Sequence, residues 1–119
     1  MMDARFFVSS EFDSPDLPGS GELMCEEFIS ALDSCRLEAG IPFVINSGFR
    51  TASHNEAVNG VSNSVHLEGK AADVRCTNST DRFKIVAAAL SVNIGRIGIA
   101  DTFVHLDTGD RDGPFIWLY

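Results

Sequence analysis

Positive charge is scarce in this chain. Nine Lys and Arg residues are scattered among seventeen Asp and Glu, giving a net charge of -8 over 119 residues. Nucleic acid is bound through clustered Lys and Arg, so no nucleic-acid partner is expected. The same acidic balance gives no attraction toward an anionic cell wall or membrane and reads as a solubilising exterior. Long apolar runs are also missing. No stretch reaches the ~20 residues that a bilayer-spanning helix needs, so no transmembrane segment is expected. The opening Met1-Met2-Asp3-Ala4-Arg5-Phe6-Phe7 lacks the charged-then-apolar layout of a secretion signal. The expectation is a protein made in the cytoplasm, which some other agent must release if its target lies outside.

Cysteine is sparse and odd in number. Cys25, Cys35 and Cys76 lack the close paired spacing of a zinc finger. Cys25, Phe28, Ile29, Leu32 and Cys35 follow the i, i+3, i+4, i+7 rhythm of a helix's buried stripe. On one helix Cys25 and Cys35 stand ~15 Å apart, too far to bridge. Buried, reduced thiols are expected, which suits a reducing cytosol. Repeats, low-complexity tracts and linkers are absent, and the length suits one domain over 1–119.

The local patterns predict an α+β fold. Residues 1–20 read as an irregular N-terminal arm with Pro15, Pro18 and several turn formers. Phe6, Phe7 and Phe12 are expected to pin it to the body. A helix is predicted from about Glu22 to Ala39, ended by Gly40 and Pro42. Phe43 to Asn46 reads as a buried strand. Thr51 to Asn59 reads as a loop and short helix closed by Gly60. Ala71 to Arg75 reads as a strand. Ser79 is expected to cap a helix from about Thr80 to Val92, with Phe83, Val86, Ala87 and Leu90 as its apolar face. Three strands close the chain: Arg96 to Ile99, Phe103 to Asp107 and Phe115 to Tyr119. The expected architecture is a small, mainly antiparallel sheet with two main helices packed on one face.

Strand alternation then gathers the chemistry. With Ala72 and Val74 facing the helices, Asp73 faces the open side. With Val104 and Leu106 facing the helices, Phe103, His105 and Asp107 share that open side. His66 lies in the loop before the Asp73 strand, where it can swing over the same face. Two imidazoles and a carboxylate are a ligand set for catalytic zinc, which keeps a further position for water. Taken singly, each of these residues reads as structural or exposed.

Four blocks now carry a resemblance. They are Ser47-Gly48-Phe49-Arg50-Thr51, His54-Asn55, Asn63-Ser64-Val65-His66-Leu67-Glu68-Gly69-Lys70-Ala71-Ala72-Asp73, and Phe103-Val104-His105-Leu106-Asp107. In this order they resemble the zinc D-Ala-D-Ala carboxypeptidases and related phage endolysins, a group that also includes the hedgehog signalling domain. Ser10-Glu11-Phe12 and Trp117 look like the compact branch of the group. The resemblance implies that 1–119 is a single zinc peptidase domain, with the zinc site on the sheet face opposite the helices. It implies one Zn2+ per chain held by His66, Asp73 and His105. It implies Arg50 on the substrate side, binding a peptide carboxylate or the oxyanion formed on attack. Ser64 is expected to turn its hydroxyl toward the ligand or the metal shell, or else to order its loop.

The chain departs from its relatives at the general base. Several carry an acid three positions before the final His, where Thr102 stands here. Others carry a His two before it, where Phe103 stands. Asp107, on the same strand face as His105, is the first choice, either as base or as the carboxylate that orients His105. Asp101 in the preceding turn and Glu68 are the other candidates. The expected activity is hydrolysis of amide bonds in peptidoglycan peptides, as a monomeric phage-type endolysin acting at the cell wall once the membrane is permeabilised. The alternatives are a cytosolic D,D-dipeptidase or carboxypeptidase, and a zinc-stabilised binding module without catalysis.

Overall fold

The computed structural model describes Met2 and residues 4–119; Met1 and Asp3 of the N-terminal arm lie outside the described residues. Strands β1 (Ile45–Ser47), β2 (Ala71–Arg75), β3 (Arg96–Ile99), β4 (Phe103–Asp107) and β5 (Phe115–Leu118) form one sheet in the order β1-β2-β4-β3-β5. All pairings are antiparallel except β3 with β5. Helices α1 (Glu26–Ala39) and α3 (Ser79–Ser91) pack on each other and cover one sheet face, while α2 (Ala52–Ala57) lies between β1 and β2 in the chain. The architecture is therefore the expected α+β one. Among the described residues, no helix is long and apolar enough to cross a membrane.

The core joins Phe28, Ile29, Leu32 and Cys35 of α1 to Ile85, Ala88 and Ala89 of α3. Both meet Ala72, Val74, Ile97, Val104 and Leu106 of the sheet. Burying one such Leu, Ile or Phe side chain contributes about 1.5–3 kcal/mol. The arm is less irregular than its composition suggests. It holds two short 3-10 helices, Ser9–Phe12 and Ser20–Leu23. Phe7 and Phe12 are buried and meet edge-on at 5.3 Å. Phe6 stays partly exposed between the Arg5 and Arg36 guanidinium groups. All three cysteines are free; Cys35 and Cys76 are buried as expected, whereas Cys25 caps the helix from outside it and is only partly buried. Burial pushes the Cys35 thiol up to about 12.

Three boundaries differ from the pattern, each because of a tertiary contact. The first helix begins at Glu26, not Glu22. Cys25 is extended, and its N–H donates to the Gly69 carbonyl at 2.8 Å, which stops the helix from running back. That approach needs glycine at 69. Its φ is +70°, and a Cβ there would lie 2.6 Å from the Leu23 carbonyl oxygen. The first strand is Ile45–Ser47, further along than Phe43 to Asn46. Its pairing with β2 is irregular, and the irregularity brings Ser47 opposite Asp73. The cap of α3 is Asn78, whose side chain accepts from the Asp81 N–H at 2.8 Å; Ser79 is already helical.

The buried face of α3 is also corrected. Ile85, Ala88 and Ala89 face the core, whereas Phe83 is 73% and Leu90 54% exposed. The helix is turned by two residue steps, roughly 160°, from the face its largest side chains suggest. Ala88 and Ala89 present little bulk, which suits close packing against α1.

Candidate metal centre and its cleft

Alternation along β2 and β4 does place Asp73 and His105 together. They are direct partners in the antiparallel register, on the face opposite Val74 and Val104. His66 reaches them from a 3-10 turn, Val65–Glu68. Ser64 begins that turn, its hydroxyl accepting the His66 N–H at 3.2 Å. Ser64 thus orders the loop that presents His66, and it also lines the cleft. Backbone bonding continues to the neighbouring block, where the Arg50 N–H donates to the His66 carbonyl at 3.1 Å.

The three side chains are buried, and their ligand atoms lie within 4.8 Å of one another. The donor set fits a metal cation on hydrogen-bond grounds. His66 Nδ1 is 2.7 Å from the Gly48 carbonyl oxygen, which can only accept, so that nitrogen carries the proton. His66 Nε2 then turns its lone pair toward Asp73 Oδ1, 3.4 Å away. A lone pair facing a carboxylate oxygen in a buried site calls for a cation between them. On the other side, His105 Nε2 is 2.6 Å from Asp107 Oδ2, and its Nδ1 is 2.8 Å from Asp73 Oδ1. A tetrahedral ion with ligand bonds of about 2.0–2.1 Å holds its ligand atoms about 3.3 Å apart, close to these separations.

Charge in the centre is tightly balanced. Burial pushes the Asp73 carboxyl up, but hydrogen bonds and charge from His105 and His66 outweigh it and hold it below the usual carboxylate range. His105 is disfavoured as a cation by burial, yet its two carboxylate neighbours, Asp107 and Asp73, raise it above the ordinary histidine value. Asp107 is pushed up by burial and held below its ordinary value chiefly by His105, with help from Gly109 and Arg96.

Arg50 sits at the edge of the triad. Its Nε–H donates to Ser47 Oγ at 3.0 Å, its Nη1–H to Asn55 Oδ1 at 3.2 Å and its Nη2–H to Asp73 Oδ2 at 3.4 Å. A guanidinium has five N–H groups, so two remain for a ligand. The cleft above this row measures about 600 Å³, within the range of small-molecule sites. Val61, Asn63, Arg96, Arg111, Phe115, Trp117 and Tyr119 are among the residues of its walls.

The candidate bases fare differently. Asp107 lies in the centre with its side chain fully buried. Its Oδ2 accepts from His105, and its Oδ1 accepts from Arg96 Nε–H at 2.7 Å and from the Gly109 N–H at 3.0 Å. Glu68 is exposed and ion-paired with Arg111. Asp101 is exposed at the β3–β4 turn and does not line the cleft. Among the described residues, the acid lining the cleft besides Asp73 and Asp107 is Asp112.

Sequence reasoning missed Arg96, Ser47, Asn55, the Gly48 carbonyl and Tyr119. Arg96 is separated from Asp107 by a turn, and only the β3–β4 register, Arg96 opposite Asp107, joins them. Tyr119 was within reach of the alternation that runs through Phe115 and Trp117. The ring of Trp117 lies 5.3 Å from that of His105.

No curated protein matches the chain. The family model of peptidase M15 matches residues 8–107, a span that contains Arg50, Ser64, His66, Asp73, His105 and Asp107. The match and the buried His66–Asp73–His105 cluster agree, and the chain belongs to the peptidase M15 family, the group of zinc D-Ala-D-Ala carboxypeptidase type.

Proposed function

We propose that the protein is a zinc peptidase that binds one Zn2+ through His66, Asp73 and His105 and hydrolyses amide bonds in the peptides of peptidoglycan, as a phage-type endolysin of D,D-carboxypeptidase or endopeptidase specificity. The observation that carries this reading is the polarised triad. Each imidazole has one nitrogen engaged by an acceptor, Gly48 for His66 and Asp107 for His105, so that the other is turned to Asp73. Such outer partners fix tautomer and ring orientation in metal sites.

When bound, zinc supplies Lewis-acid polarisation of the scissile carbonyl and of the attacking water. The chain's own residues do the rest. Asp107 holds the proton of His105 at Nε2 and keeps Nδ1 for the metal. This is the orienting role; with its oxygens committed to His105, Arg96 and Gly109, Asp107 has little capacity left as a base. Arg50 steadies Asp73 and turns its two remaining N–H groups to a peptide carboxylate or to the oxyanion. Ser64 holds the turn that carries His66.

The test is digestion of purified peptidoglycan by the zinc-loaded protein, with newly freed amino groups counted and the muropeptides identified by mass spectrometry. New amino groups, lost on chelation and regained with zinc, are expected. Cleavage of soluble D-Ala-D-Ala peptides alone would favour the cytosolic dipeptidase or carboxypeptidase reading. Bound zinc with no bond cut would favour the binding module.

A further inference from the structure

We propose that Tyr119 is a catalytic residue of this cleft, its phenol O–H donating a hydrogen bond to the oxygen of the scissile group as that oxygen gains negative charge. The proposal rests on the peptidase reading above. Tyr119 lies outside the 8–107 segment that the family model matches.

The placement follows from one row across the sheet. Asp73 of β2 pairs with His105 of β4, His105 pairs with Gly98 of β3, and Gly98 pairs with Trp117 of β5. Neighbouring strands lie about 4.7–4.9 Å apart, so Gly98 is the step between the metal row and the edge strand. It has no side chain, and two rings use the space. A Cβ at Gly98 would lie 2.7 Å from Cε2 of both Trp117 and Tyr119, a clash that any other residue would bring. Trp117 crosses the notch to meet His105.

For Tyr119 the identity of the close atom matters. Cε2 neighbours the carbon that bears the hydroxyl, so it is the hydroxyl end of the ring that lies over Gly98, one strand from His105. The ring is braced by Phe103 at 5.1 Å and Trp117 at 6.2 Å, and the Tyr119 N–H is tied to the Ile99 carbonyl at 3.0 Å. The residue remains 68% exposed and lines the same cleft as His66, Asp73, His105 and Arg50. Arg50 approaches the row from the β1 side and Tyr119 from the β5 side. A substrate carbonyl over the metal row is therefore flanked by a charged donor and a neutral one.

The chemistry suits a donor rather than a base. A phenol is protonated at neutral pH, and the proton stays on Tyr119 throughout, with no bond of the residue broken. Fixed donors of this kind act on charge that develops only in the transition state. They raise kcat more than they lower KM.

The test is Tyr119→Phe, which keeps the ring on Gly98 and Phe103 and removes only the hydroxyl. Three readouts are taken on the zinc-loaded protein: zinc affinity from Trp117 fluorescence, kcat and KM on a D-Ala-D-Ala peptide, and affinity for the phosphinate analogue of that peptide, a tetrahedral anionic mimic. Zinc affinity and KM are expected to hold within about twofold. Loss of one such donor lowers kcat by about a hundredfold, and phosphinate affinity should fall by the same factor. A variant within threefold of the parent in both kcat and phosphinate affinity overturns the proposal, leaving the peptidase reading intact. A fall in zinc affinity that accounts for the lost turnover overturns it too, by making Tyr119 a structural wall. A parent protein that frees no amino groups from peptidoglycan, cuts no D-Ala-D-Ala peptide and binds the phosphinate no better than the plain peptide overturns the peptidase reading, and this role with it.

Discussion

Replacing Asp107 by Asn should damage the metal centre before it damages the chemistry. The carboxylate accepts three hydrogen bonds in a place with no solvent to substitute for them. An amide has one acceptor oxygen. If that oxygen keeps Arg96 and Gly109, the NH2 group faces His105 Nε2–H, donor against donor. The imidazole can escape only by moving its proton to Nδ1, the nitrogen turned to Asp73 and the metal position. If the amide is flipped, two bonds are lost and NH2 meets the Arg96 guanidinium. The first arrangement takes the His105 lone pair from the metal; the second keeps the His105 bond but frees the side chain that makes it from Arg96 and Gly109. Loss of such an outer carboxylate weakens metal affinity by roughly ten- to a hundredfold, which is about 1.4–2.7 kcal/mol. The metal-free protein loses one charged, buried hydrogen bond at least, worth about 1.5–3 kcal/mol, and at this length Tm should fall on the order of 10 °C. The assay is a zinc titration followed by Trp117 emission, since this is the single Trp of the chain and its ring touches that of His105. Turnover is measured with and without excess zinc. The expected result is a weaker zinc Kd and activity recovered by added zinc. An unchanged Kd, with turnover down about a hundredfold to ten-thousandfold while zinc is bound, would refute the reasoning and make Asp107 the general base.

Other outcomes follow from the same geometry. His66→Ala and His105→Ala should each abolish stoichiometric zinc in metal analysis, and zinc retained at one per chain by either would remove that residue from the ligand set. Chelation should lower the Tm of the parent protein, because metal at a hundred times its Kd adds about 2.7 kcal/mol to the folded state; a Tm indifferent to chelator would mean that the cluster holds no metal. Arg50→Lys should keep fold and zinc but lose about a hundredfold in kcat/KM, since one ammonium cannot hold Ser47, Asn55 and Asp73 and still offer a fork to the substrate. Near-normal turnover in that variant would reduce Arg50 to a brace for its neighbours. Gly98→Ala should cost about 1–3 kcal/mol by overpacking and shift Trp117 emission as both rings lift from the sheet, and an unshifted spectrum with an unchanged Tm would contradict the notch.

What the amino-acid order determined alone was whatever depends on near neighbours. The period-2 alternation in Ala71–Arg75 and Phe103–Asp107 set Asp73 and His105 on the side away from the apolar residues. The Ser64–Asp73 block carried His66 to the same place, and Gly40 marked the end of α1 through a left-handed residue that glycine adopts without strain. Tertiary structure decided what depends on distant partners. Bulk alone pointed to Phe83 and Leu90 as the buried face of α3, but the packing partner is α1, and the turn of the helix follows from the fit between the two. Glu22 to Cys25 suit a helix locally, yet the Gly69 carbonyl claims the Cys25 N–H. The role of Asp107 was open in the sequence between base and orienter, because its partner Arg96 becomes a neighbour only through the β3–β4 register. The parallel return of β5 is likewise nonlocal, and it alone brings Trp117 and Tyr119 over Gly98. Alternation says which side a residue faces; only strand order says what stands beside it there.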